Sequence, residues 1–428
     1  MFQASFPKVV IVADNASARF GGEAFLPLNY FRLLLKRGYP VRLIAHQRNA
    51  EELLAMPDCD PGRMHFVPDT RWHKMAWSVF GRLPEPFPWL LGGSLLNWLN
   101  RLHQRRIIRR LVAAGEAQVI HQPTPVSPLW PTSLHRFGLP LVLGPMNGGM
   151  DYPPGYEDYE QKGVRAAILG GRRLALTLNR LMPGKHRAAA LLVANDRTRR
   201  ALPDPDHPRI GTLIENGIDF SRWRAPGTDR PATPAGKLRL VFVGRFVKLK
   251  AIDITLRAIA RARDSGADVT LDLLGDGEER GSLQALATEL GIADSVVFHG
   301  FQPQERCAEI MGRSDALILN SLRECGGAVV LEAMAMGLPV IASAWGGPLD
   351  YLDDQSGILV HPAPRADFAE RLAQAIVTLA DDPDLRLRLG RTGQVTAKSR
   401  FDWEAKVDRM IEIYADVAAG QKAGAAAA

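Results

Sequence analysis

Apolar residues along this chain fall in short unbroken runs, and the stretches between them carry apolar residues at helical spacing. That alternation predicts buried parallel strands joined by helices. The first run is Val9-Val10-Ile11-Val12-Ala13. A loop with Gly21-Gly22 is expected next, then an amphipathic helix through Leu28, Phe31, Leu34 and Leu35, stopped by Gly38, then a strand over 41–45. Further strands are expected at 117–120, 140–143 and 190–194; the pattern restarts at 238–243 and continues at 269–274, 296–298, 316–319 and 340–342. Two successive βαβ series predict an α/β chain with two doubly wound, Rossmann-like domains. Prolines concentrate between 203 and 236, the expected crossing between domains. The expected division is an N-terminal domain over 1–202, the crossing over 203–236, and a C-terminal domain over 237–400. A helix over 401–417 carries Trp403, Val407, Met410, Ile411 and Tyr414 at helical spacing, and an Ala/Gly-rich disordered tail is expected over 418–428.

The 428 residues suffice for two or three domains of ordinary size. The three cysteines, Cys59, Cys307 and Cys325, form no C-x-x-C pair, which argues against a disulfide framework or zinc site and fits a reducing cytoplasm. The N-terminal residues lack the pattern of a signal peptide, and no run of about 18 apolar residues predicts a membrane span. The net charge of +7 is unevenly placed: residues 1–220 carry +10 and residues 221–428 carry −3. Two explanations stand side by side: ordinary variation in an Arg-rich surface, or attraction of the first half to an acidic partner such as anionic lipid, a lipid-linked pyrophosphate or nucleic acid.

Candidate chemistry concentrates in the second half. Glu324 and Glu332 lie eight positions apart around the turn Cys325-Gly326-Gly327-Ala328. The run from Ala328 to Met336 is rich in helix formers and is ended by Gly337 and Pro339. Glu324 is therefore expected on the loop before a helix and Glu332 about one turn inside it. Amides of the first turn would point into the space between the carboxylates, and a helix N-terminus attracts phosphate. Hydroxyl acceptors beside an anion-binding helix end suit a sugar nucleotide. Gly244-Arg245 ends a strand, with Lys250 following, so Arg245 and Lys250 are placed where a diphosphate would be neutralised, or are surface cations. Gly275-Asp276-Gly277 and Phe298-His299-Gly300-Phe301 are further strand-end turns, and Gly346-Gly347-Pro348 should open another helix.

These segments, in this order, resemble the retaining glycosyltransferases of family 4, which have the GT-B fold: two Rossmann-like domains with a deep cleft between them. The resemblance is continuous over roughly 210–400, including Ile214-Glu215-Asn216-Gly217-Ile218-Asp219, and weaker over 1–200, where Gly21-Gly22-Glu23 fits the family's glycine loop. It implies that Arg245 and Lys250 hold the donor diphosphate and act with Glu324 as the catalytic group, Glu324 hydrogen-bonding the donor sugar. It implies that Glu332 binds ribose hydroxyls, and that Gly21, Gly22, Gly244, Gly275, Gly277, Phe301, Cys325, Gly326, Gly327 and Ala328 complete the donor site. The implied function is metal-independent transfer, with retention, of a hexose-type sugar from a nucleotide diphosphate to a saccharide or lipid-linked acceptor, in surface polysaccharide or glycolipid assembly. No cofactor is implied, and a UDP-sugar is favoured over a GDP-sugar as donor. The N-terminal domain would bind the acceptor, and the Trp403 helix would cross back onto it. The chain departs from the family at Gly326, where an aromatic residue is usual, and at Ala251, where glycine is usual.

On the acceptor side, His121 and Asn147 follow expected strands and Asp151 lies just beyond. Any of the three is a candidate for contact with the sugar; a strand-end histidine is as readily structural. Aromatic and apolar residues crowd 72–99, including Trp72, Trp77, Trp89 and Trp98, and Arg101, Arg105, Arg106, Arg109 and Arg110 follow. A second basic amphipathic stretch runs from Lys162 through Arg165, Arg172, Arg173 and Arg180 to Arg187. Aromatics beside cations suit the inner face of a membrane, or an inward core with a solvated basic face. A dinucleotide oxidoreductase is excluded, since no expected strand is followed by G-x-G-x-x-G. Nucleic-acid binding lacks a recognised motif. The remaining alternative is a non-catalytic nucleotide-binding protein of the same fold at the membrane surface.

Overall fold

The computed structural model describes residues 6–19, 21–72, 75, 78, 93–159, 164–224 and 233–426. The chain forms two units: one comprises 1–149, 163–215 and 404–428, the other 150–162 and 216–403.

The first unit is built on β1 (Val9–Val12), β2 (Val41–His46), β3 (Met64–Val67), β4 (Val119–Gln122), β5 (Leu141–Met146), β6 (Ala190–Val193) and β7 (Ile210–Thr212). Their order is β3-β2-β1-β4-β5-β6-β7, and every neighbouring pair is parallel. The unbroken apolar runs are those buried on both faces: all four residues of β1 are at most 2% exposed. Val10 and Val12 pack with Ile44, Ile120, Leu143 and Leu191 in one core. The chain adds strands to one side of β1 and then, from β4 onward, to the other, so the topological switch lies between β1 and β4. The helix Gly21–Lys36 links β1 to β2 and begins at Gly21 itself, so Gly21-Gly22 form its first turn rather than a loop before it.

The second unit repeats the plan with β8 (Lys237–Val243), β9 (Asp268–Leu274), β10 (Val296–Gly300), β11 (Ala316–Leu319), β12 (Val340–Ser343) and β13 (Gly357–Val360). The order is β10-β9-β8-β11-β12-β13, all parallel, with the switch between β8 and β11. Residues 150–162, expected with the N-terminal domain, belong to this unit. Tyr156 is fully buried and its hydroxyl donates to the Pro362 carbonyl at 3.0 Å, while Trp345 Nε1 donates to the Asp151 carbonyl at 3.0 Å. The final helix runs Trp403–Ala426, past the point where the tail was expected to begin, and from Glu404 it belongs to the first unit. Val407, Met410 and Tyr414 on it are fully buried.

Candidate active site

In the second unit, hydrogen bonding continues beyond the strand ends and sews three loops together. The Gly244 amide donates to the Leu274 carbonyl, Phe246 to Asp276 and Gly275 to Gly300, each at 2.9 Å. Gly275 has φ +140°, and a Cβ there would lie 1.9 Å from the Gly244 carbonyl oxygen; one at Gly277 would lie 2.3 Å from that of Phe246. These glycines are explained by backbone packing against the Arg245 loop, a structural reason distinct from the donor contact expected of them. A 3₁₀ turn over Lys248–Lys250 follows, and Ala251 takes the left-handed conformation at φ 50°. The usual glycine would be relaxed here. Ala251 is held by its surroundings: its carbonyl accepts from Asn320 Nδ2 at 2.8 Å, and Asn320 Oδ1 accepts from Thr255 Oγ at 2.5 Å.

From the other side of the switch, β11 runs into Asn320-Ser321-Leu322, all fully buried. The Leu322 amide donates to the Leu249 carbonyl at 2.8 Å, which joins the two strand-end loops. Glu324 follows, and Lys250 Nζ donates to its Oε2 in a close ion pair, with both side chains 15% exposed. Ser321 Oγ donates to the same oxygen at 3.4 Å. Gly327, at φ 83°, starts the helix Ala328–Ala335 without a side-chain cap. Among the described residues, the amides of Gly326, Gly327 and Ala328 make no hydrogen bond. The loop is pinned from behind: the Gly347 amide donates to the Glu324 carbonyl at 2.6 Å, and a Cβ at Gly347 would lie 2.1 Å from the Gly326 carbonyl oxygen.

Glu332 lies one turn into this helix, half-buried, and desolvation pushes its carboxyl up to about 7. Among the described residues its carboxylate takes no hydrogen bond or ion pair. Arg245 is exposed and has no ion-pair partner among the described residues. Cys325 is half-buried, and Phe301 is 79% exposed beyond β10. His299 Nε2 is 2.6 Å from Asp272 Oδ1, which ties the end of β10 to β9. Two cations, a row of unpaired amides and two carboxylates thus gather at the carboxyl ends of β8 and β11, where doubly wound sheets bind ligands. Such a set holds phosphates and hydroxyls.

The candidates of the first unit fare differently. His121 is fully buried: Nε2 meets the Gly144 carbonyl at 2.7 Å and Nδ1 meets the Tyr414 hydroxyl at 2.7 Å. Burial brings its pKa down to about 4. With both ring nitrogens committed, it is a core histidine, and its expected place at the acceptor is withdrawn. Asn147 is buried too; its Nδ2 donates to Glu215 Oε2 at 2.7 Å, and its Oδ1 accepts from Asn195 at 3.3 Å and Thr198 at 3.4 Å. Asp151 lies in the second unit and is exposed. Sequence reasoning missed the buried pair of Lys406 and Glu215: Lys406 Nζ donates to the Glu215 carbonyl, and burial lowers the amine to about 7 against the pull of Glu215. Of the aromatic region, Trp77 and the side chains of 79–98 lie outside the described residues, as do those of Lys162 and Arg165; Trp72 is 63% exposed.

Residues 228–396 match the family model described as glycosyl transferases group 1. That match lies within the second unit, and the two-sheet α/β fold is of the GT-B type. A D-inositol 3-phosphate glycosyltransferase of Thermomonospora curvata is 33% identical over 300 residues, 65% of this chain and 66% of that protein. The lipopolysaccharide core biosynthesis glycosyltransferase LpsE of Rhizobium meliloti is 35% identical over 204 residues, 47% of this chain and 57% of that protein. The matches thus span less than two thirds of the length of these curated relatives. The structure of Anabaena HepE in complex with UDP and glucose aligns with TM-score 0.63 at 18% identity, covering 96% of this chain and all of that one, a likeness of fold.

Proposed function

We propose that this protein is a retaining, metal-independent glycosyltransferase that moves a hexose from a UDP-sugar to a saccharide or lipid-linked acceptor in surface polysaccharide or glycolipid assembly. The observation that carries the reading is the meeting of Lys250 and Glu324 across the β8/β11 switch, beside the unpaired amides of Gly326, Gly327 and Ala328. Arg245 and Lys250 would neutralise the diphosphate, and the helix end would stabilise the charge that develops on it as the sugar leaves. A bound diphosphate draws Lys250 away from Glu324 and frees that carboxylate to accept from the sugar hydroxyls. Glu332, whose carboxylate has no hydrogen-bond or ion-pair partner among the described residues, would accept from the ribose. The family match over 228–396 and the named activities of the relatives support the transfer, and the UDP and glucose held by HepE support the donor class.

The proposal includes attachment to an anionic membrane surface. The helix Val164–Leu181 exposes Leu174 (59%) and Leu181 (71%), two turns apart on one face, with exposed Arg173 and Arg180 beside them. Leucines flanked by guanidiniums suit the headgroup boundary. No helix among the described residues is long and apolar enough to cross a membrane.

The test is release of UDP from a panel of UDP-hexoses in the presence of a chelator, with the anomeric configuration of the product read by NMR. Chelator-resistant turnover with retention is expected; inversion, or turnover abolished by the chelator, would overturn that part of the reading. Flotation with phosphatidylserine liposomes at low salt tests attachment, and failure to co-float would remove it.

A further inference from the structure

We propose that Asn320 is a positioning residue for the transfer: it fixes the turn that carries Lys250 at the reach from Glu324 that lets the ammonium serve the carboxylate and the leaving diphosphate in turn. This rests on the transferase reading of the second unit and names the group that sets its geometry.

The strands on either side of the switch part before the site begins. β8 and β11 are in register at Leu240 with Ala316 and at Val241 with Leu317, whereas β11 stays on β12 as far as Leu319 with Ala342. Among the described residues, no ladder pair joins the Arg245–Lys250 segment to the Ser321–Glu324 segment, so the spacing between them comes from other bonds.

Those bonds bracket Lys250. On one side of it the Leu249 carbonyl accepts from the Leu322 amide at 2.8 Å; on the other the Ala251 carbonyl accepts from Asn320 Nδ2 at 2.8 Å. Both donors come from the segment that leads into Glu324. The Asn320 amide is itself oriented, since its Oδ1 accepts from Thr255 Oγ in the helix Ile252–Asp264. Ser343 Oγ on β12 donates to the Ser321 carbonyl at 2.5 Å, which steadies the same segment from its far side. Asn320, Thr255, Ser321 and Ser343 are all fully buried.

Two features separate this clamp from packing. An apolar residue would continue the run Ala316–Leu319 without a desolvation cost, and a buried amide there is stable only while it is bonded. The residue that the amide grips, Ala251, is the one non-glycine residue with positive φ among the described residues, at 50°. An alanine held left-handed relaxes unless its neighbours over-determine it. Release of the Asn320 bond therefore lets the Ala251 turn, and Lys250 with it, move relative to Glu324. A misplacement of about 1 Å can cost up to about a hundredfold in rate.

The experiment measures UDP binding by calorimetry, and turnover of the UDP-hexose that the unmutated chain uses, for the full chain, Asn320→Ala, Ala251→Gly, the double variant, Thr255→Val and Thr255→Ser. Turnover is expressed per UDP-binding site, so an unfolded fraction drops out. Asn320→Ala should lower kcat about tenfold or more with KM changed less than about threefold. The same substitution in the Ala251→Gly background should cost at least about threefold less, because glycine keeps the left-handed turn without the clamp. Thr255→Val, which removes the hydroxyl and keeps the shape, should lower kcat about threefold, and Thr255→Ser should restore it. A kcat unmoved by Asn320→Ala, or a loss of the same size in both backgrounds, would overturn the inference alone. If Asn320→Ala yields no folded protein, the Thr255 variants decide: a loss in Thr255→Val that Thr255→Ser restores supports the clamp, and equal turnover in the two overturns it. An unmutated chain that binds no UDP would overturn the donor reading, and this inference with it.

Discussion

The two units share one plan, an all-parallel sheet with its switch beside the first strand, and use their strand ends in opposite ways. In the second unit, the groups beyond β8 and β11 are held in place by backbone bonds, while their charges stay available: Arg245 is exposed and, among the described residues, the Glu332 carboxylate is unpaired and Lys250 and Glu324 pair only with each other and Ser321. In the first unit, the strand-end polar groups singled out by their position are spent on the fold: His121 on Gly144 and Tyr414, Asn147 on Glu215. Equivalent strand ends thus present charged groups in one unit and polar groups satisfied within the core in the other.

Four substitutions and a pH profile sharpen or break this contrast. The largest effect on stability is expected in the first unit. Lys406→Ala removes the buried amine that donates to the Glu215 carbonyl and should cost about 3 kcal/mol in urea unfolding while leaving UDP affinity intact. A loss of UDP affinity without a loss of stability would move Lys406 from the fold to the site. In the second unit the balance reverses: Glu324→Ala should lower turnover about 10²–10³-fold with little change in the unfolding midpoint. Gly347→Ala should perturb both, because its Cβ would collide with the Gly326 carbonyl; a cost of about 1–3 kcal/mol and a comparable loss of activity are expected. Smaller still, Ala251→Gly should relieve left-handed strain and gain at most about 1 kcal/mol.

The pH dependence follows from Glu332. Its folded pKa, about 7, lies above the ordinary carboxyl value of 4.5. The stability it contributes is fully present below about pH 4.5 and is lost as pH rises through about 7. In the proposed donor site the ribose hydroxyls donate to the carboxylate, so UDP affinity should rise with pH through the same value, and Glu332→Gln should flatten that step. A profile unaltered by the substitution would detach Glu332 from the ribose.

The difference between the units also decided what the sequence revealed. The groups proposed for the donor side are local, 245–250 and 324–332, each a strand end followed by a turn and a helix, so spacing and residue type were enough to expect them together. The Asn147–Glu215 bond spans 68 residues and the His121–Tyr414 bond 293, and no local pattern announces such partners. The same logic governs the strands. The central runs in β1, β5, β8 and β11 stand out because both faces are covered. The strands that went unexpected, β3, β7 and β13, lie at sheet edges and carry shorter or mixed patterns. The 150–162 segment changed units without a break in composition, because its attachment rests on the buried Tyr156 and on the Asp151 carbonyl that accepts from Trp345.

The central claim is that the β8/β11 switch is a nucleotide diphosphate site built on Arg245, Lys250 and Glu332. Its most direct test is calorimetric titration of the purified protein with UDP, GDP and ADP in metal-free buffer, repeated with Arg245→Ala. The account predicts micromolar binding of UDP, weakened about tenfold or more in Arg245→Ala with the fold intact. No binding by any of the three nucleotides, or affinity indifferent to Arg245, would contradict it.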